Sequence, residues 1–130
     1  MDGILVPISP GELLDKITIL RIKSARIGDA AKLENVRREL ALLERNWRQA
    51  VAAPAELAGD EADLQRVNAE LWDIEDRIRE HESQRRFDAG FIELARAVYL
   101  RNDERAAIKQ RINRKLRSAI VEEKSYQPYR

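Results

Sequence analysis

The sequence predicts an all-α protein: a four-helix, mainly antiparallel bundle with a long helix 3/helix 4 hairpin and a short extended N-terminal arm. Three observations lead there. Apolar residues recur at alternating three- and four-residue spacings through four long stretches. Gly28, Gly59 and Gly90, with Pro54 beside the middle one, interrupt those stretches about thirty residues apart. Ser9, Asp29, Asp60 and Asp88, all good N-cap residues, stand before them. At 130 residues the chain holds one domain with one core. A long helical hairpin with helices 1 and 2 folded back on it is the variant topology.

The arm, residues 1–8, contains Ile4-Leu5-Val6-Pro7-Ile8, whose proline forbids a central strand position. Ser9-Pro10-Gly11-Glu12 reads as a capping box with proline at the first helical position, so helix 1 begins there and runs over 10–27. Leu13, Ile17, Leu20 and Ile27 share one of its faces, while Ile19 and Ile22 lie opposite. Helix 2, over 30–52, carries Leu33, Val36, Leu40, Leu43 and Trp47 as a seam and ends before Pro54. Helix 3, over 61–85, repeats the pattern with Leu64, Val67, Leu71, Ile74, Ile78 and His81. Helix 4, over 89–120, presents Phe91, Leu94, Val98, Ile108, Ile112 and Leu116. It would span roughly 48 Å against roughly 27 Å for helix 1, leaving an overhang of roughly 20 Å. The tail, 121–130, cannot be helical around Pro128, and its Tyr126 and Tyr129 suit packing across the bundle or a partner.

Composition removes most catalytic chemistry. No cysteine and one histidine exclude disulfides, thiol nucleophiles and multi-histidine metal clusters. With 44% hydrophobic and 36% charged residues, the chain reads as folded and without a membrane span. The N-terminus lacks the features of a secretory signal, so a cytoplasmic location is expected. A formal charge of +1 gives no global field for nucleic acid.

Helix 4 carries the sharpest anomaly. Arg101, Asn102, Arg105 and Lys109 fall in the same sector as Val98, Ile112 and Leu116, where the apolar stripe should continue. Buried cations must be paired, so the stretch requires carboxylates from another helix, a solvated cleft or an anionic ligand. Helix 3 offers a ridge of Asn68, Trp72, Glu75 and Arg79, and Glu75 is the first choice to meet Arg105 or Lys109. An internal ion-pair network and an anion site both fit this pattern.

Other candidates are weaker. Arg111, Arg114, Lys115 and Arg117 spread round the helix and complement its C-terminal dipole, which disfavours nucleic acid as a partner. Glu70 and Asp73 have a spacing suited to a divalent ion, but Glu39 and Glu44 do not supply a matching pair, so neither metal nor cofactor is expected. His81 suits a helix end facing solvent or a carbonyl, and Trp47 and Trp72 suit packing anchors.

Several segments together resemble one family: Ser9 to Leu20, reading SPGELLDKITIL; Leu71-Trp72-Asp73-Ile74-Glu75-Asp76; Phe91 to Asn113 with Val98-Tyr99 and Asn102-Asp103; and Val121-Glu122-Glu123-Lys124-Ser125-Tyr126. It is a family of short bacterial helical proteins classed as a domain of unknown function. Some members are encoded near glycosyltransferase and surface-polysaccharide genes, which implies a sugar-nucleotide or envelope-related role. The resemblance also implies that Asp15, Lys16, Thr18, Trp72, Glu75, Tyr99, Asn102, Asp103, Arg105, Lys109 and Asn113 belong to the family's pattern. These include Asn102, Arg105 and Lys109 of the helix 4 anomaly.

The expected function is therefore a non-enzymatic binding or assembly module. The alternative is a small enzyme or receptor for an anionic, phosphorylated or sugar-nucleotide ligand between helices 3 and 4. A homodimer is expected, because the apolar arm, the second face of helix 1 and the overhang of helix 4 exceed what one chain covers easily.

Overall fold

A computed structural model describes residues 1–129; Arg130, the last residue of the expected tail, lies outside the described residues. The fold is all-α, with four helices: α1 (Pro10–Arg26), α2 (Ala30–Ala50), α3 (Ala58–Ser83) and α4 (Ala89–Lys115), and a single 3-10 turn at Pro54–Leu57. Local chemistry starts three of them. The Ser9 hydroxyl accepts the Glu12 amide, Asp29 accepts the amides of Ala31 and Lys32, and Asp88 accepts that of Phe91.

Helix 3 departs from expectation. Its N-cap is Leu57, without a side-chain bond, and the 3-10 turn leads directly into Ala58. Asp60, expected as the cap, is instead buried on α3, where it accepts from Arg111 Nε at 2.5 Å and Lys115 Nζ at 2.6 Å. Burial works against its charge, but those two donors outweigh it and hold the carboxyl below its usual range. Gly59 and Gly90 lie in the first turns of α3 and α4 rather than between helices.

The helix ends also differ. α4 stops at Lys115, short of residue 120, in a Schellman motif: Ser118 N–H donates to the Asn113 carbonyl at 2.9 Å and Arg117 N–H to that of Arg114 at 3.2 Å. Arg117 takes the left-handed conformation at φ 52°. α3 ends in the same way, with Arg85 at φ 49°, Arg86 donating to His81 and Arg85 to Glu82. His81 stays at that turn, its Nδ1 3.3 Å from the Arg86 carbonyl oxygen and its ring 6.2 Å from Phe91.

The core joins Leu14 and Ile17 of α1, Trp47 and Val51 at the end of α2, Leu57 of the 3-10 turn, Leu64 and Val67 of α3, and Ile108 and Ile112 of α4. It sits at one end of the α3/α4 hairpin, because no residue from 69 to 107 is fully buried. α1 is the central element, packed against α2, α3 and α4. That position explains its two apolar faces: Ile22, placed opposite the main stripe, is buried within the chain. α4, with 27 residues, outruns α1, with 17, as its pattern predicts, and is matched in length by its hairpin partner α3, with 26. The arm stays extended and exposed, Leu5 at 97%. Among the described residues no helix is long and apolar enough to cross a membrane.

α1 meets α4 at Gly11. A Cβ there would lie 2.6 Å from the Lys109 carbonyl oxygen and 2.9 Å from Asn113 Oδ1. Helix propensity favours alanine over glycine by only about 1 kcal/mol, while forced overpacking costs about 1–3 kcal/mol. We expect Gly11→Ala to destabilise the fold by up to about 2 kcal/mol in chemical denaturation, whereas Gly28→Ala, with nothing within 4 Å of its added methyl, leaves stability nearly unchanged.

Candidate functional site: a groove between α4 and the C-terminal tail

The polar stripe of α4 is answered chiefly by α1. Gly11, Asp15, Thr18 and Ile22 follow one another at four-, three- and four-residue spacings along α1, and all four are buried. Gly11 N–H donates to Asn113 Oδ1 at 2.7 Å, docking the first turn of α1 on α4. Asp15, 1% exposed, accepts from Asn68 Nδ2 at 2.9 Å on Oδ1 and from Arg105 at 3.0 Å on Oδ2. Asn68 also donates to the Thr18 hydroxyl at 2.9 Å, and that hydroxyl donates to the Asp15 carbonyl at 2.8 Å. Three helices thus converge on one buried carboxylate.

Lys109, one turn beyond Arg105, is also buried. Its Nζ lies 2.7 Å from Glu12 Oε2 and 3.0 Å from Glu122 Oε2 of the tail. Burial works against the ammonium, but the hydrogen bonds to Glu12 and Glu122 outweigh it and raise its pKa. The bond from Lys109 holds Glu12 below the usual carboxylate range. Glu122 also receives Lys124 at 2.8 Å, and the two lysines hold its carboxyl down at about 2. Lys16, by contrast, is exposed and only flanks Glu12 at 3.7 Å.

From Glu122 the tail runs back along α4. The Tyr129 hydroxyl donates to Asp103, and its ring meets Tyr99 edge-on at 4.9 Å between centroids. Between tail and helix lies a groove of about 690 Å³. Val98, Tyr99, Asn102, Asp103, Arg105, Ala106 and Lys109 form its α4 wall, and Lys124, Tyr126, Gln127 and Tyr129 form its tail wall. Arg105 uses one Nη on Asp15 and the other on Asn102 Oδ1 at 3.3 Å, and its side chain remains 30% exposed.

The expected site between helices 3 and 4 is thus corrected. Glu75 does not meet Arg105 or Lys109; it is exposed and pairs with Arg79 at 3.7 Å. Trp72 lies away from the groove, its ring 5.9 Å from the Arg26 guanidinium of α1. α3 offers α4 other carboxylates, among them Glu70, which lies 2.9 Å from Arg101 and accepts from Arg66. Asp73 pairs with Arg26, so both members of the supposed metal pair hold arginines. Arg111 and Lys115 are likewise taken up by Asp60 and Asp63. Tyr99, Asn102, Asp103, Arg105 and Lys109 come together in the groove; Asp15, Thr18 and Asn113 support it from beneath. Glu12, Glu122, Lys124 and Gln127 were missed as site residues. The four-residue step from Arg105 to Lys109, answered by the three-residue step from Glu12 to Asp15 on one face of α1, is the signal for the acidic partners; the tail carries no periodic signal.

One comparison places the chain. Residues 4–129 match the profile described as a family of unknown function, DUF6165. The chain belongs to that family. No curated protein and no solved structure gives a match.

Removing a cation should cost more where it strands a buried acid. Arg105→Met strands Asp15, so we expect about 3 kcal/mol of destabilisation in urea titration. Lys109→Met strands Glu12 and Glu122, which both reach solvent, and should cost less. A pH effect follows from Glu122: its folded pKa of about 2 lies below the ordinary 4.5, so its contribution is complete above pH 4.5 and lost as pH falls toward 2. Because Glu122 is more than a third exposed, solvent screening keeps that contribution to about 1 kcal/mol or less. Acid titration followed by tail amide resonances should show the tail releasing in that window, and Glu122→Gln should abolish the transition.

Proposed function

We propose that this protein is a non-enzymatic binding or assembly module whose ligand seats in the groove between α4 and the C-terminal tail. The observation that carries the proposal is the contrast between the groove's two walls. One wall is a helix fixed by the Asp15 and Lys109 networks; the other is an irregular segment held by a few side chains. A binding protein needs such a pairing of fixed surface and adjustable cover. Three tyrosines, two amides and one exposed-edge guanidinium line it, chemistry that grips a ligand with a flat or apolar face and polar edges. The sole histidine stands at the far turn of the hairpin, next to Arg86.

A second reading is a receptor or small enzyme for an anionic ligand. Arg105 and Lys124 favour it, since both line the groove and keep part of their side chains in solvent. Assembly as a homodimer is proposed on the arm, where Ile4, Leu5 and Val6 are exposed together. Light scattering at micromolar concentration separates a mass near 15 kDa from one twice that.

A thermal-shift screen of neutral aromatics, nucleotides, sugar nucleotides and sugar phosphates tests the binding site. A ligand at a hundred times its Kd adds about 2.7 kcal/mol to stability, a rise of several degrees in Tm for a domain of this size. We expect at least one class to produce it and Tyr126→Ala, at an exposed position, to remove it without lowering the basal Tm. A shift that persists in Tyr126→Ala would place the ligand elsewhere.

A further inference from the structure

Glu122 stands where an anionic ligand of the groove would stand. Two groove-lining ammonium groups straddle its carboxylate, Lys109 at 3.0 Å from Oε2 and Lys124 at 2.8 Å from Oε1. Lys109 is 7% exposed, so its charge must be met inside the protein. Glu12 meets it from α1, part of the packed fold, at 2.7 Å. Glu122 meets it from a segment with neither helix nor strand.

Charge counting sharpens the point. Of the groove's cations, Arg105 is met by Asp15, Lys109 by Glu12 and Glu122, and Lys124 by Glu122, while the lining carboxylate Asp103 is taken by the Tyr129 hydroxyl. Asp15 and Glu12 are committed to the α1–α4 contact, whereas the Glu122 side chain can swing away while the Tyr129–Asp103 bond keeps Lys124 at the groove, which leaves Lys109 and Lys124 one carboxylate short. An external anion can then restore the balance. The apolar and aromatic part of the groove, Val98, Tyr99 and Tyr126, lies along the same wall and tail.

We propose that Lys109 and Lys124 form an anion-binding site that Glu122 fills in cis, and that a phosphate monoester takes the place of Glu122 with its organic body along Tyr99 and Tyr126. The proposal rests on the groove being the ligand site. Phosphate suits the site better than carboxylate. It carries between one and two negative charges and three acceptor oxygens, one more than Glu122 presents to Lys109 and Lys124. A carboxylate has two acceptor oxygens and only reproduces the contacts that Glu122 already makes. The Tyr129–Asp103 bond lies farther along the tail and tethers it while Glu122 is displaced.

Calorimetric titration of the full chain with phenyl phosphate, and with benzoate as the carboxylate counterpart, tests the proposal in wild type, Glu122→Gln, Lys124→Met and Tyr126→Ala. Glu122→Gln removes the competing charge, so phenyl phosphate should bind at least tenfold more tightly than to wild type, and benzoate should gain less. In the double variant Glu122→Gln/Lys124→Met at least tenfold of the affinity should be lost again. Both substitutions lie on the tail, outside the buried core, so the fold tolerates them. Phenyl phosphate affinity that is unchanged or weaker in Glu122→Gln overturns the displacement proposal. If Tyr126→Ala still weakens binding in that case, the groove stands as the ligand site and only displacement fails; no binding by any of the variants removes both.

Discussion

A single buried carboxylate organises this protein. Asp15 lies at the meeting of α1, α3 and α4, and burying an ion there is costly unless charge and hydrogen bonds compensate it. Asn68 of α3 and Arg105 of α4 supply both, and Thr18 closes the ring by joining Asn68 to the α1 backbone. Each donor comes from a different helix, so the three must keep one register for the carboxylate to be satisfied. Apolar packing around Leu14, Ile17, Leu64 and Ile112 supplies most of the adhesion but is far less particular about register. The polar contacts add direction. Gly11 completes the joint by letting the α1 backbone approach Lys109 more closely than any side chain would allow.

This joint explains why α4 is polar where its stripe should be apolar. Seen from α1, Arg105, Lys109 and Asn113 are interior residues with partners at Asp15, Glu12 and Gly11. Seen from the tail, Tyr99, Asn102, Asp103 and Arg105 are the wall of a groove. One helix surface therefore serves packing on one side and lines the groove proposed as the ligand site on the other, and Arg105 takes part in each. An ion-pair network and a binding site are compatible here, because the acids of α1 neutralise the cations from beneath while their outer edges remain available. Glu122 links the two sides, since it touches Lys109 from the tail.

Much of the fold was legible because its signals are local. Ser9, Asp29 and Asp88 each cap the helix that follows within three residues, and the three-four repeats set the helix faces. The helix ends were harder. Arg85 and Arg117 take left-handed conformations normally given to glycine, and nothing adjacent in sequence marks them. Asp60 misled for a related reason: a good capping residue two positions into a helix looks local, but its partners are Arg111 and Lys115, about fifty residues away. For the site, periodicity alone exposed the polar stripe of α4. Choosing its partner required knowing which helix lies against it, and the choice of Glu75 took the neighbour to be α3 when it is chiefly α1. The difference is that α1 runs through the middle of the bundle, and its second apolar face, read from sequence as a dimer surface, is where Ile22 packs within the chain. The tail's part in the groove was suggested by Tyr126 and Tyr129, but irregular segments have no repeat from which an orientation can be read.

A double-mutant cycle on Asp15→Asn and Arg105→Met, followed by urea denaturation, tests the organising role of the buried carboxylate most directly. If Asp15 and Arg105 act as one unit across α1 and α4, the double variant should lose less than the sum of the singles, with a coupling of about 2 kcal/mol. The tail resonances next to Lys109 should shift in both single variants, since the same helix face carries the groove. Additive losses with an unperturbed tail would show that α1 and α4 are held by apolar packing alone and that the groove stands independently of Asp15.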